Sequence, residues 1–423
     1  MPTSSKTSAG SRRTVPLVML VVACGHFNRI GISVAGTERI IPDYGISPEN
    51  MGLIYSAFLL SYTLAMLPGG WFIDRFGARA ALLLLGFGST FFVALTGGMG
   101  LITHQASTLW LGLFVVRALL GLVNAPLHPA AARTVHDCVP AQSRALANGL
   151  VTFSACVGIA ATFYLMGALI DFFPWPAAFL ISAGMTLAVS LAWLAGMRPR
   201  RESPDVDPQP HEATFPPLAL SRVLRSRGVI CITLSYTALN YFQYLFFYWV
   251  AYYFETIQKQ DRGVARGYSA MITLAMGVGM VTGGWLTDRV PTSLSPRTRR
   301  ALVPALGMIA SGLVFELGLI THDMRLTLGA FAIAAALIGA CEGAFWTTVV
   351  ELGGRFGGTA AGLMNMGGNA GGTLSPYLTP LLGTLFASSY GPDLGWRLSL
   401  AIAGAVAVAG AGLWVGIDPS RSD

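Results

Sequence analysis

Twelve apolar stretches of membrane-crossing length, separated by polar segments, constrain this 423-residue chain more than any other feature. They lie at about 15–36, 50–71, 80–102, 107–132, 143–170 and 175–197, and again at about 228–254, 268–287, 301–321, 326–350, 358–386 and 394–417. Each is close to or longer than the ~20 residues with which a helix crosses the hydrocarbon of a bilayer. With only 11% charged residues against 53% hydrophobic, the chain has too little polar side chain to cover a water-facing surface. Its 50 glycines suit helices that pack closely in lipid. The expected fold is an all-α integral membrane protein of twelve transmembrane helices embedded in a lipid bilayer.

The polar stretch 198–227 divides the runs into two sets of six. Pro199, Pro204, Pro208, Pro210, Pro216 and Pro217 argue against a continuous helix there. The division expected is a tail over 1–14, a six-helix bundle over 15–197, a linker over 198–227, a second bundle over 228–417 and a tail over 418–423. Of the 27 Lys and Arg residues, 19 fall on the side of the two termini and six on the other, while Arg29 and Arg117 lie inside runs. Basic residues collect on the cytoplasmic side, which predicts a cytoplasmic (inner) membrane protein with both termini inside. The same placement in loops argues against nucleic acid as a partner despite the net charge of +7. Ser11-Arg12-Arg13 has the look of a twin-arginine export signal, but the run behind it carries Arg29 and lacks a small-residue cleavage site. A retained first helix is the better reading. Cys24, Cys138, Cys156, Cys231 and Cys341 form no metal-type pair, and neither a disulfide framework nor a metal site is expected.

The two sets repeat each other in sequence. Gly70-Trp71-Phe72-Ile73-Asp74-Arg75 follows the second run, and Gly284-Trp285-Leu286-Thr287-Asp288-Arg289 follows the eighth, 214 residues later. Four identities in six at equivalent positions indicate an internal duplication, a known transporter architecture.

Residues 70–79, G-W-F-I-D-R-F-G-A-R, resemble the loop signature of the major facilitator superfamily. The resemblance implies two pseudo-symmetric six-helix bundles, and a gating role for Asp74 and Arg75 and for Asp288 and Arg289, which would lock helix ends on the cytoplasmic side. A carboxylate near helix N-termini and a neighbouring arginine can make charge-assisted bonds that exist in one conformation only. Three further segments are similar to the anion:cation symporter family. His26-Phe27-Asn28-Arg29 resembles its Y-x-D-R, residues 117–126 (R-A-L-L-G-L-V-N-A-P) its R-x-L-x-G-x-x-E-A-P, and residues 362–372 its G-x-x-N-x-x-x-N-x-G-G. That family includes bacterial sugar-acid transporters and the vesicular glutamate and sialic acid carriers of animals. The chain departs from it at two places: Asn28 and Asn124 stand where the family has acids that carry protons.

Arg29 lies in mid-span with no acid at i±3 or i±4. An arginine at the bilayer centre costs about 2.5–3.5 kcal/mol even on an insertion scale, so it pairs with an acid on another helix or awaits an anion. Its forked donors match a carboxylate. His26 shares its face, and Asn28 adjoins it. Arg117, Gly121, Asn124 and His128 are spaced as one stripe, expected to face a cavity, although Arg117 near the helix end can also snorkel and His128 can be a satisfied core residue. Asn240 and Tyr244 on the seventh run, and Asn365 and Asn369 on the eleventh, are further candidates for binding substrate, with core packing and helix-to-helix bonding as the plain alternatives. Glu342 in the tenth run is the preferred coupling group, ahead of Glu316 in the ninth.

The expected activity is secondary active transport of a small organic anion, a carboxylate such as a sugar acid or hydroxy acid, by alternating access. The expected coupling ion is a proton or sodium, and the expected state is a monomer. Two alternatives stand beside it: a facilitator of a neutral or aromatic solute with Arg29 paired to Glu342, and a membrane sensor that binds without turnover. The sequence holds no phosphate-binding loop, nucleophile motif or metal cluster, so neither an enzyme nor a cofactor is expected.

Overall fold

The computed structural model describes residues 6–140, 144–197, 224–291, 293–321 and 323–418, apart from the side chains of residues 6–12, 74, 144–146, 288 and 355. The predicted linker lies outside the described residues over 198–223, as do the tail residues 1–5 and 419–423.

Helix covers every predicted run. The first half comprises α1 (Lys6–Ala35), α2 (Pro48–Leu64, continuing as Met66–Ile73), α3 (Arg75–Ile102), α4 (Ala106–Asn124, resuming as Leu127–Cys138), α5 (Arg144–Phe172) and α6 (Trp175–Gly196). The second comprises α7 (Arg227–Tyr248), α8 (Arg262–Arg289), α9 (Pro296–Ile320), α10 (Met324–Gly353), α11 (Gly357–Tyr390) and α12 (Pro392–Gly412). Among the described residues nine helical stretches are long and apolar enough to cross a membrane, and α2 with its 47° bend makes a tenth. The two that fall short, α7 and α11, are the ones whose polar side chains face the interior between the halves.

Packing repeats the duplication seen in sequence. In the first half α1 packs on α5, α2 on α4 and α3 on α6; in the second, α7 packs on α11, α8 on α10 and α9 on α12. Across the halves α2 meets α11 and α8 meets α5, again equivalent pairs. An end-to-end tie repeats too. Arg79 at the start of α3 donates to the Met197 carbonyl just past α6 (2.5 Å). Arg297 at the start of α9 donates to the Val415 carbonyl just past α12. Since lipid is as apolar as leucine, close packing rather than water exclusion holds such helices together. The buried ring pair Phe315–Phe331, with centroids 4.4 Å apart, is one such contact between α9 and α10.

Local departures from plain helix shape the interior. The G-W-F-I-D-R signature, expected as a loop, is helical, and the chain kinks just after it at Gly77 (φ 81°, ψ 158°). Pro126 lacks an amide hydrogen and interrupts α4 between Asn124 and Leu127. α1 ends in a π-helical turn, Gly36–Ile40, and α7, broken at Trp249, ends in another, Tyr253–Ile257. Each carries an acid at its third position, Glu38 and Glu255, 217 residues apart.

Candidate functional site

Arg29 sits at the centre of the molecule, 8% exposed, and reaches across to the other half, where it donates to the Tyr244 hydroxyl on α7. Its guanidinium lies over three rings: Phe58 (5.4 Å), Tyr62 (5.6 Å) and Tyr244 (5.0 Å). Each such contact contributes about 0.5–2 kcal/mol, short of what a carboxylate would supply. Among the described residues Arg29 makes no ion pair, and its Nε has no partner. The cation is buried, oriented and uncompensated.

His26 follows on the same face of α1. Its Nδ1 is 3.0 Å from the Val22 carbonyl, and its ring meets His128 edge-on at 5.1 Å between centroids. His128 reaches this place because it lies beyond the proline break, where α4 has changed course.

The rest of the α4 stripe faces elsewhere. Its spacing predicted one cavity-facing row, but Arg117, Gly121 and Asn124 are all buried inside the first half. Arg117 does not snorkel. It is fully buried, and its fork grips two successive carbonyls of α1, Asn28 O (3.0 Å) and Arg29 O (2.5 Å). It also lies over the Phe58 ring at 5.1 Å, so one phenyl serves both arginines. Gly121 permits this packing: a Cβ there would stand 2.2 Å from the Phe58 carbonyl oxygen. Asn124 donates to Ser89 on α3 (3.0 Å) and to the Leu120 carbonyl. Asn28 points away from Arg29 as well, donating to Thr186 on α6 (2.7 Å). Asn28 and Asn124 therefore bond away from the Arg29 guanidinium, whereas Arg117 lies beside it, over the same Phe58 ring, with its donors spent on backbone carbonyls. Adjacent residues on a helix project about 100° apart, so proximity in sequence put Asn28 on the wrong face.

Opposite, on the second half, Glu342 accepts bonds from the Tyr236 hydroxyl and from Trp346 Nε1 (3.1 Å), and its Oε2 is buried without a partner. It makes no ion pair with Arg29 among the described residues. Asn240 caps the Tyr236 carbonyl (3.0 Å). Asn369 bonds to the Asn365 carbonyl (2.9 Å), and both amides touch Met66 of the first half, at 3.6 and 3.8 Å. Glu316 lies in the seam between α9 and α12 beside Gly404, away from this site. The side chains of Asp74 and Asp288 lie outside the described residues. Their neighbours Arg75 and Arg289 stack on Trp71 (5.5 Å) and Trp285 (4.0 Å), the same contact in each half.

A second cluster escaped the sequence reading. Beyond Arg29, at the end of the molecule that carries the π turns, Arg266 on α8 binds Glu38 (2.8 and 2.6 Å) and Asp171 on α5 (2.5 and 2.9 Å). Arg262 joins Glu255 (3.0 Å) and approaches Glu38 (3.9 Å). The signal available was the pair of acids in G-T-E-R-I and Y-F-E-T-I, just past the first and seventh apolar runs.

Comparison with known proteins adds to this geometry. The sequence model described as Major Facilitator Superfamily matches residues 18–376. The chain is 27% identical to a D-galactonate transporter of Escherichia coli O6:H1, over 94% of this chain and 95% of that one. It is 26% identical to a probable galactarate/D-glucarate transporter of Escherichia coli K12, over 86% and 84%. In fold it is similar to a bacterial homolog of the human lysosomal transporter Spinster, crystallised inward-facing and unoccupied. The TM-score there is 0.79, at 18% identity over 96% of both chains.

Proposed function

The chain belongs to the major facilitator superfamily, and we propose that it is a secondary transporter of a small carboxylate, a sugar acid or related hydroxy acid, that works by alternating access. One observation carries this reading: Arg29 is a buried cation with three aromatic rings and a tyrosine hydroxyl around it and, among the described residues, no carboxylate partner. A substrate carboxylate supplies the missing charge, and the two hydrogens of the fork suit its two oxygens. His26, His128, Tyr244, Asn240, Asn365 and Asn369 offer donors and acceptors for substrate hydroxyls, and the Phe58 and Tyr62 rings pack on its carbon face. The two relatives aligned above, a D-galactonate transporter and a probable galactarate/D-glucarate transporter, favour the same class. The test is uptake into proteoliposomes of labelled galactonate and glucarate beside neutral galactose. Saturable entry of the acids is expected; entry of galactose with exclusion of both acids overturns the proposal. The reading with a neutral solute needs Arg29 held by Glu342, which instead accepts from Tyr236 and Trp346.

The halves 15–197 and 228–417 move as two bodies joined by 198–227, with Asp74, Arg75, Asp288 and Arg289 as gates at the cytoplasmic ends. Both termini are cytoplasmic and the membrane is the inner one, on the 19-to-6 basic asymmetry. Alkaline phosphatase fused after Asp423 should then be inactive; high activity there reverses the topology.

Asn28 and Asn124 do not titrate, so a coupling proton needs another carrier. Glu342 is that carrier in our proposal. Arg29 and Glu342 are not in contact, so they are linked through α7, which supplies Tyr244 to one and Tyr236 to the other. Substrate-driven proton entry that disappears in Glu342→Gln while binding survives is the expected result. Wild-type transport with no proton movement and no response to a pH gradient assigns coupling to sodium or to none.

A further inference from the structure

We infer that Arg266 is the outer latch of the transport cycle: it closes the path from outside by joining Glu38 and Asp171, and its release opens that path. With the termini inside, α1, α5 and α7 run outward, and the cluster lies between Arg29 and the outer surface. All four of its hydrogen bonds cross between the halves, from α8 of the second to α1 and α5 of the first. A tie between two bodies that separate during transport exists in one state only, so its energy counts wholly toward that state.

Three further features set it apart from a surface ion pair. Glu38 is 3% exposed and Arg266 8%, so the ions attract in a poorly screened place. The mating faces have opposite charge: Glu38 and Asp171 on one, Arg262 and Arg266 on the other, with Glu255 holding Arg262 in position. And Arg266 has a built seat. A Cβ on Gly167 would stand 2.4 Å from Arg266 Nε, so the guanidinium lies directly on the α5 backbone.

The acids sit on π turns at equivalent places in the two halves, Glu38 in Gly36–Ile40 and Glu255 in Tyr253–Ile257. A π turn re-aims the side chains after it and is often found at functional sites. Other contacts between the halves line up below the latch. Ser33 donates to the Phe247 carbonyl (3.4 Å), Ser56 to the Thr373 carbonyl (2.7 Å), and Tyr55 stacks on Tyr248 at 5.1 Å. Toward the inner end, hydrogen bonds between the halves among the described residues end with those from Asn365 and Asn369 to the Met66 sulfur and from Cys156 to the Met280 sulfur.

The latch is tested without any substrate. In a background with the five native cysteines replaced, Ser33→Cys serves as reporter, since Ser33 is 1% exposed between Arg29 and the latch. Intact cells are treated with a membrane-impermeant maleimide. Labelling should be slow with the latch intact and at least about tenfold faster in Arg266→Gln, as expected when a closed state loses its stabilising contact. Arg266→Gln takes the close partner from Asp171 and from Glu38, which keeps Arg262 at 3.9 Å, and can fail to fold. The double variant Glu38→Gln with Arg266→Gln removes the pair together, and Gly167→Leu displaces Arg266 with every charge retained. Both should speed labelling similarly. Unchanged labelling in either one, with normal expression and a monodisperse profile, overturns the latch. So does loss of carboxylate binding in the double variant as complete as in Arg29→Ala, because it would put Arg266 in the substrate site.

Discussion

Arg29→Ala should weaken carboxylate binding at least about thirtyfold, because truncating one member of a buried charge pair costs about 2–5 kcal/mol. Arg29→Lys should recover little. The planar guanidinium stacks on Phe58, Tyr62 and Tyr244 and presents two parallel donors, and an ammonium does neither. The ligand-free protein should respond in the opposite direction. An uncompensated buried cation is a liability to the empty fold, so Arg29→Met should raise its thermal unfolding temperature while binding is lost. In the wild type, added substrate should raise that temperature by mass action, by about 2.7 kcal/mol of stability at a hundred times the dissociation constant. Scanning the wild type, Arg29→Ala and Arg29→Met with and without galactonate separates the effects. Equal stabilisation of wild type and Arg29→Ala by galactonate would remove Arg29 from the site.

Arg117→Met should also dissociate stability from function, by a different route. Arg117 is fully buried without a carboxylate partner among the described residues. The carbonyls it grips, at Asn28 and Arg29, belong to the continuous helix α1 and keep their helical partners when it is removed. A methionine of similar volume therefore leaves no orphaned acceptor and removes a desolvated charge. Replacing buried ions in this way is often neutral or stabilising by about 1–4 kcal/mol. Function should suffer, because Arg117 fixes the segment of α1 that carries Arg29 and adds a second positive charge near the anion. Affinity for galactonate should fall about tenfold, in the usual range for loss of a charge-assisted contact. Isothermal titration and a thermal scan of Arg117→Met decide this. A lower unfolding temperature with wild-type affinity would make Arg117 a structural residue with no share in binding.

The two arginines explain why this chain tolerates what most membrane helices avoid. Each stands in a span, and each is held by something other than an acid: rings and a tyrosine for Arg29, backbone carbonyls for Arg117. Both bear on the one Phe58 ring, which Gly121 lets α2 bring close. The result is a buried positive centre with no carboxylate partner among the described residues.

By itself the sequence determined that this is a multi-pass, all-helical membrane protein of duplicated build. Run length against bilayer thickness and scarcity of charge are one-dimensional quantities, and so is the repeat of G-W-x-x-D-R. It also singled out Arg29, because a mid-span charge without a local partner is visible without a fold. What surrounds Arg29 was decided in three dimensions. Tyr244 lies 215 residues away and on the other half, and periodicity along one helix carries no information about which residues of another will meet it. The stripe on α4 failed for the same reason: spacing gave the face, but only packing decided that the face turns inward, and Pro126 set His128 on a new course. The cluster of Glu38, Asp171 and Arg266 was least legible of all. Its members come from three helices and two halves, each unremarkable at a helix end, and only the packing of the two halves brings them within bonding distance.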